Sequence, residues 1–246
     1  MKYEIRQTRN NSFTLYSKEY GECYHSVRDG ALSEALKKHV EPAFSLVRKP
    51  SLAILDICFG LGINTLATIY HFHRQSFVRH ISLYTPELDE DLLKLLPTFT
   101  YPEALLPYRE ILLRLIEDKV YRSENIDIEL YVGDARAYVK ELERVDVIYQ
   151  DAFSPKKNPL LWTVEYFKDL AKILDARGVL TTYSIATPVR LGLWEAGFRI
   201  YEMEPPGLKK ITVASKASLP LKEIDMRKKK ERSSSKALRD RDIEKE

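Results

Sequence analysis

The feature that most constrains the fold is a regular alternation of short apolar runs with segments of helical periodicity. The five apolar runs are residues 52–57, 81–85, 126–132, 145–150 and 179–184. Runs of this length without polar alternation are typical of strands that are buried on both faces. Strands that alternate with helices favour a parallel sheet with right-handed crossovers. The sequence therefore predicts an α/β protein with a mostly parallel, doubly wound sheet.

The segments around these runs predict three regions. Residues 1–50 form an extension, with a β-hairpin around Asn10-Asn11 and a helix from about Gly30 that Asp29 caps. Residues 51–221 form the α/β domain, and several prolines in the long second crossover predict a helical insertion at about 86–125. Residues 222–246 form a charged tail, which we expect to be disordered or a lone helix.

Charge and composition exclude several classes of protein. The net charge is +3, from 39 basic and 36 acidic residues, and residues 222–246 hold 10 and 7 of these. The rest of the chain is therefore neutral, which is weak support for a pure nucleic-acid-binding module. No apolar run reaches the roughly 20 residues of a membrane span. The two cysteines and five histidines show no metal-site spacing, so we expect no metal, no membrane and a cytoplasmic protein with free thiols.

The first candidate site is the turn after the first strand. An acidic residue ends the strand, two glycines form the turn, and a helix begins at once, which is where doubly wound sheets bind ligands. The candidate cofactor-binding residues here are Asp56, Phe59, Gly60, Gly62, Asn64 and Thr65. A dinucleotide site expects a third glycine where Thr65 stands, and an acid before the glycines suits a cationic ligand better than a pyrophosphate. The turn resembles the first motif of class I S-adenosylmethionine-dependent methyltransferases, with Cys58 where their first glycine often sits.

Two further strand ends carry candidate cofactor ligands. Glu87 follows the second strand and is our candidate for the ribose hydroxyls, with Asp89 behind it. Gly133, Asp134 and Ala135 follow the third strand and resemble the methyltransferase segment whose acid accepts the adenine amino group. Glu87 and Asp134 each have a simpler interpretation, because acidic side chains also stabilise helix N-termini.

The fourth strand leads into the most informative segment. It delivers Asp151 to the carboxyl edge of the sheet, where a transferred methyl group would lie. Asp151 is therefore the candidate catalytic residue and a candidate cofactor contact. A polar loop with two prolines follows, and its aromatic side chains could stack on a base. The candidate substrate-binding residues are Tyr24, Phe153, Lys156, Lys157 and Trp162.

Several motifs resemble one family, the methyltransferase half of MnmC, over roughly residues 10–216. Residues 149–163 are similar to its Leu-Asp-Gly-Phe-Ala-Pro-x-Lys-Asn-Pro-x-x-Trp-Thr signature, with Ala152 in place of the glycine. Residues 20–26 resemble its Phe-Gly-Asp-x-Tyr-x-Ser segment, and residues 59–64 its Phe-Gly-Thr-Gly-x-Asn turn. Residues 20–26 could cover the site as a lid or simply pack the hairpin against the sheet.

The resemblance implies a Rossmann-like class I fold, S-adenosyl-L-methionine as cofactor, and a tRNA anticodon loop as partner. It implies N-methylation of an aminomethyl group on the wobble uridine, with Asp151 holding the amine. Members with two activities carry a flavin oxidoreductase domain, which we do not expect in these 246 residues. The alternatives are an aminopropyltransferase of the spermidine synthase type, another small-amine methyltransferase, a nicotinamide-dependent oxidoreductase, or an inactive RNA-binding module.

Overall fold

The chain forms a large mixed sheet covered by helices, with a small antiparallel sheet at its N-terminus. The structure is a computed structural model that describes residues 2–243. The small sheet consists of β1 Tyr3–Gln7, β2 Phe13–Ser17 and β3 Glu22–Cys23, each antiparallel to the next. The predicted hairpin is therefore confirmed, and the third strand adds the segment that follows it.

The large sheet has nine strands in the order β12-β10-β11-β9-β8-β4-β5-β7-β6. They are β4 Ser51–Ile57, β5 His80–Glu87, β6 Val120–Arg122, β7 Ile126–Val132, β8 Val145–Gln150, β9 Leu174–Thr182, β10 Arg199–Met203, β11 Ile211–Ser215 and β12 Lys222–Glu223. The five central strands, from β9 to β7, are parallel, and the outer strands are antiparallel. The strand order reverses between β4 and β8, and ligands bind beyond the carboxyl ends of the strands at such a point.

Helices cover both faces of this sheet. They are α1 Ala31–Ala35, α2 Glu41–Leu46, α3 Ile63–Phe72, α4 Glu90–Leu95, α5 Arg109–Asp118, α6 Ala135–Glu141, α7 Val164–Ile173, α8 Thr187–Glu195, α9 Met226–Glu231 and α10 Asp240–Ile243. A π turn, Leu36–Val40, joins α1 to α2, and short 3₁₀ helices span Leu96–Thr98, Glu103–Tyr108 and Pro159–Trp162. Two apolar clusters, one on each face, bury the central strands as the unbroken apolar runs predict.

One local prediction is wrong, and another is confirmed with an addition. Asp29 does not cap α1, because the residue at the cap is Gly30 and no side chain bonds there; Asp29 instead lies 3.4 Å from Lys38. The insertion is helical as predicted, but it ends in the short strand β6, which pairs with β7.

Among residues 2–243, no helix has the length and apolar character needed to span a membrane.

The predicted disordered or isolated tail is also wrong where the tail is described. Strand β12 extends the sheet, and Met226 of α9 is buried in a core cluster that Leu238 also contacts. The carbonyl of Leu238 accepts a hydrogen bond from the amide of Val164 at 2.9 Å. A few well-placed apolar side chains therefore dock a segment whose average composition is polar. Residues 244–246 lie outside the described residues.

Candidate active site

A cavity of about 1050 Å³ lies at the carboxyl ends of the central strands, between them and the N-terminal sheet. Ligand pockets measure about 300–1,000 Å³, so this cavity lies at the upper end of that range. Ten of the residues predicted for cofactor or substrate line it. They are Tyr24, Phe59, Gly60, Asn64, Glu87, Gly133, Asp134, Ala135, Asp151 and Phe153.

The turn between β4 and α3 forms the floor of the cavity. Gly60 and Gly62 have φ of +55° and +69°, a region that L side chains rarely adopt, and a Cβ on Gly62 would lie 2.7 Å from the ring of Phe59. Cys58 also has a positive φ, +66°. The backbone at Cys58 therefore has the conformation that a glycine adopts most readily, which accounts for the family's glycine at this place.

Asp56 lies beneath this turn and not in the cavity wall. It is fully buried and accepts hydrogen bonds from Thr65 Oγ1 at 3.0 Å and Asn64 Nδ2 at 3.3 Å. Burial, and then the charge of Asp151, raise the pKa of Asp56 well above the ordinary range. The structure thus places Asp56 and Thr65 as supports for Asn64 rather than as lining residues.

Asp151 follows β8 and lies beside the point between β4 and β8 where the strand order reverses. Its Oδ2 accepts a hydrogen bond from Asn64 Nδ2 at 2.9 Å, and its Oδ1 lies 3.3 Å from Nε2 of His39. The side chain is 11% exposed, and the residue lines the cavity. A carboxylate held at this edge can accept a hydrogen bond from an amine or stabilise positive charge on one.

Two more acids lie at neighbouring strand ends. Glu87 ends β5 and accepts hydrogen bonds from the amides of Gly60 at 2.7 Å and Asp89 at 2.9 Å. Burial raises the pKa of Glu87. Asp134 caps α6 by accepting from the amide of Arg136 at 2.8 Å, and it also lines the cavity. The capping interpretation and the ligand interpretation of Asp134 are therefore compatible.

Aromatic rings from the N-terminal segment form the roof. Tyr20 stacks on Phe153 with ring centroids 4.5 Å apart, and Tyr24 lies 4.9 Å from the same ring. Glu22 joins the two segments, because it accepts hydrogen bonds from the amide of Ser154, at 3.0 Å, and from its hydroxyl. Residues 20–26 therefore cover the site and also pack the hairpin against it, so both interpretations of this segment hold.

The remaining predicted substrate residues lie outside the cavity. Trp162 is 1% exposed, packs in the core, and donates a hydrogen bond of 2.7 Å from its indole nitrogen to the carbonyl of Phe153. Trp162 thus holds the loop from the side of the core. Lys156 and Lys157 are exposed on the same loop, with Lys157 Nζ beside Gly21. The lysines are therefore available to a partner at the rim but not to a small ligand inside.

Two further acids that line the cavity, Glu34 and Asp89, are already paired with other side chains; sequence reasoning missed Glu34 and named Asp89 only as a second candidate behind Glu87. Glu34 bonds to Lys38 at 2.5 Å and to the amide of Ser26 at 2.7 Å. Burial alone would raise the pKa of Glu34, but His25 and Lys38 lower it to about 2. Asp89 bonds to Lys2 at 2.8 Å and to the hydroxyl of Tyr3. Asp89 contacts a segment far away in sequence, which no local motif predicts, whereas Glu34 pairs with Lys38 one helical turn away.

His39 is the second omission, and no signal in the sequence identifies it. A single histidine in a helical segment more often packs in a core than serves a site.

Within residues 2–243, no group of three or more histidine, cysteine, aspartate or glutamate side chains is arranged to hold a metal ion.

The comparisons with known proteins begin with a family model. Residues 103–217 match the model of an S-adenosyl-L-methionine-dependent methyltransferase family. The matched region includes β7, β8 and β9 and therefore contains Asp134 and Asp151.

Solved structures extend the likeness to the whole chain. MnmC2 from Aquifex aeolicus is 33% identical, with a TM-score of 0.83, over 99% of this chain and 81% of that one. The spermidine synthase of Thermotoga maritima is 18% identical, with a TM-score of 0.51, which is a likeness of fold alone.

Curated relatives agree over most of the chain. An uncharacterized protein of Methanocaldococcus jannaschii is 34% identical over 85% of this chain and 58% of its own length. The tRNA 5-methylaminomethyl-2-thiouridine biosynthesis bifunctional protein MnmC of Ralstonia nicotianae is 31% identical over 82% of this chain and 33% of its own length. The chain thus spans more than half of the first relative and about a third of the second.

A parallel sheet with this strand order and these strand-end residues is the fold of the class I S-adenosylmethionine-dependent methyltransferases. The identity and coverage shared with MnmC2 make the assignment more specific. The chain belongs to the MnmC-like family of S-adenosyl-L-methionine-dependent methyltransferases.

Proposed function

We propose that this protein transfers a methyl group from S-adenosyl-L-methionine to the amine of a 5-aminomethyl group on the wobble uridine of tRNA. The observation that carries the proposal is the position of Asp151, which lies in the wall of a cavity of about 1050 Å³ at the point where the strand order reverses. The product would be a 5-methylaminomethyl uridine, which agrees with the name of the MnmC relatives.

The cavity residues fit the proposed cofactor. S-adenosyl-L-methionine supplies an electrophilic methyl group on a sulfonium sulfur, and it also carries an ammonium, two ribose hydroxyls and an adenine amino group. All of these are cationic or hydrogen-bond donors. Glu87, Asp134 and Asp151 are acceptors at the carboxyl ends of β5, β7 and β8, and Gly60 keeps the floor of the cavity free of a side chain. Glu87 would hold the ribose hydroxyls and Asp134 the adenine amino group.

Asp151 would act on the methyl acceptor. A primary amine is largely protonated at neutral pH, so the molecules that react are those whose amine has released its proton to solvent before it attacks the methyl carbon. Asp151 accepts a hydrogen bond from the amine and orients its lone pair, and its negative charge stabilises the positive charge that the nitrogen gains during transfer. The bonds from Asn64 and the contact with His39 fix the carboxylate in advance, so little reorganisation is needed during the reaction.

The aromatic roof would receive the base. Unpaired bases of an anticodon loop cost little to extrude and stack well on aromatic rings. Tyr24 and Phe153 face the cavity, and Trp162 supports Phe153 through its carbonyl. Lys156 and Lys157 lie outside the cavity, where tRNA phosphates would pass. This substrate places the reaction in the cytoplasm, where tRNA is modified and used.

The test is methyl transfer to defined tRNA. The full-length protein is incubated with isotopically labelled S-adenosyl-L-methionine and tRNA that carries a 5-aminomethyl wobble uridine, followed by nucleoside mass analysis. We expect one added methyl group on that nucleoside and none on tRNA lacking the amine.

A second arm supplies putrescine with either S-adenosylmethionine or its decarboxylated form. Turnover in that arm alone would replace the tRNA proposal with a small-amine methyltransferase or an aminopropyltransferase. The likeness to spermidine synthase is one of fold alone, so it does not favour that result.

A further inference from the structure

A fully buried histidine lies directly behind the carboxylate that the proposed reaction uses. His39 has no exposed surface, and its Nε2 lies 3.3 Å from Oδ1 of Asp151. Its other ring nitrogen, Nδ1, lies 2.8 Å from the hydroxyl of Thr181 on β9. The imidazole therefore connects a strand-end carboxylate to the interior of the sheet.

The helical segment that carries this ring is distorted. His39 belongs to the π turn Leu36–Val40, which interrupts an otherwise continuous helical segment between α1 and α2. A π turn is rare within α-helical segments and occurs frequently at functional sites. The ring packs against Tyr149 of β8, with centroids 5.5 Å apart. The wider turn thus brings His39 under the end of the strand that delivers Asp151.

Nε2 of His39 has no well-formed hydrogen bond among the described residues, although it is fully buried. A buried polar atom without a partner is costly, so such atoms are rare in folded proteins. The carboxylate of Asp151 is the acceptor that lies within reach. Contacts of this kind are often long in the absence of substrate and shorten when the reactants bind.

The two neighbours of the ring favour one tautomer. The hydroxyl of Thr181 can donate a hydrogen bond to Nδ1. In that tautomer Nε2 carries the ring proton, which points toward Asp151. The opposite tautomer would place the Nε2 lone pair against a carboxylate oxygen. Both contacts are attractive only when the proton is on Nε2.

We propose that His39 is a positioning residue for Asp151, which it holds at the carboxylate oxygen that Asn64 does not contact. Asn64 donates to Oδ2, and a proton on Nε2 of His39 would point toward Oδ1, which lies 3.3 Å away, so both carboxylate oxygens would be held. This inference rests on the proposed function, because it assigns His39 to the same reaction. It adds that the site needs a hydrogen-bond donor at the Nε2 position.

The first test measures the tautomer directly in the resting protein. The full-length protein is labelled with ¹⁵N-histidine, and the His39 signals are assigned from the spectrum of His39→Asn. We expect a proton on Nε2 of the ring. A ring whose only proton is on Nδ1 would overturn the proposal. Because the measurement needs no substrate, it decides the inference even if methyl transfer to tRNA is not observed.

The second test compares two variants of similar polarity. His39→Gln can place an N–H near the position of Nε2, whereas the shorter side chain of His39→Asn reaches only the position of Nδ1. We expect His39→Asn to lower kcat about 10- to 100-fold, with KM for both reactants changed less than about threefold. His39→Gln should recover most of that loss. Equal kcat in the two variants, at matched thermal stability, would contradict the role of His39 as a donor to Asp151.

Discussion

Asn64 donates a hydrogen bond of 2.9 Å to Asp151 and thereby ties the helix of the glycine turn to the carboxyl end of β8. The same amide group lies 3.3 Å from Asp56, which is buried beneath it. One side chain therefore links two carboxylates, one inside the core and one in the cavity wall. The proposed chemistry depends on this connection, because it fixes the direction of Asp151 before any ligand arrives.

Glu87→Gln tests the proposed ribose contact. Glu87 ends β5 in the cavity wall, and hydrogen bonds to a charged partner contribute about 1.5–3 kcal/mol. We therefore expect S-adenosylmethionine to bind roughly 10- to 100-fold more weakly, measured by isothermal titration calorimetry. Glu124→Gln, on an exposed loop, is the control and should bind as the wild type does. Unchanged affinity in Glu87→Gln would remove this residue from the cofactor site.

Asp56→Asn tests the buried acid through the pH dependence of stability. Burial raises the pKa of Asp56 in the folded protein, whereas in the unfolded chain it ionises at the ordinary value of about 3.9. The folded state therefore binds the proton more tightly, and its stability falls as pH rises from about 4 toward the folded pKa. Urea unfolding at several pH values should show the variant gaining stability relative to the wild type as pH rises. A constant difference across the series would contradict the raised pKa.

Met226→Ala tests whether the C-terminal segment is part of the folded protein. Met226 is 3% exposed in a core cluster, and truncation of a buried methionine costs about 2–5 kcal/mol. We expect the free energy of unfolding to fall by about 2 kcal/mol, because α9 is short and can relax around the change. Arg227→Ala, its exposed neighbour, should change it by less than about 0.5 kcal/mol. Equal effects would mean that the segment does not pack as described.

The double variant Lys156→Ala, Lys157→Ala tests contact between the rim and tRNA phosphates. Each lost phosphate contact should reduce the slope of log affinity against log salt by about 0.7–0.9. We expect weaker tRNA binding with a slope smaller by about one to two, and unchanged affinity for S-adenosylmethionine. The matched control is Arg79→Ala, Arg144→Ala, two exposed cations just before β5 and β8 at the opposite edge of the sheet. A loss of the same size in both double variants would exclude a specific rim contact.

The sequence predicts the fold and the strand-end residues well because both depend on local patterns. The apolar runs mark buried strands, and an acid after such a run must lie at the carboxyl edge of the sheet. Asp151 and Glu87 were found in this way. Asp56 shows the limit of this reasoning, since the pattern does not say that its side chain turns inward.

The rest of the site depends on contacts between distant segments. His39 reaches Asp151 across 112 positions of the chain only because a π turn redirects the helix. Trp162 lies behind its loop, because a loop has no periodicity that shows which side is buried. The tail was predicted to be unpacked from its mean composition, but Met226 and Leu238 suffice to dock it.

The central claim is tested most directly by the rate of methyl transfer in Asp151→Asn. Single-turnover reactions with aminomethyl tRNA would be followed by nucleoside mass analysis, and cofactor affinity would be measured on the same preparation. We predict that the rate falls at least about 100-fold while the affinity for S-adenosylmethionine stays within about tenfold, as expected when an interaction acts mainly in the transition state. A variant that methylates the nucleoside at the wild-type rate would contradict the role assigned to Asp151.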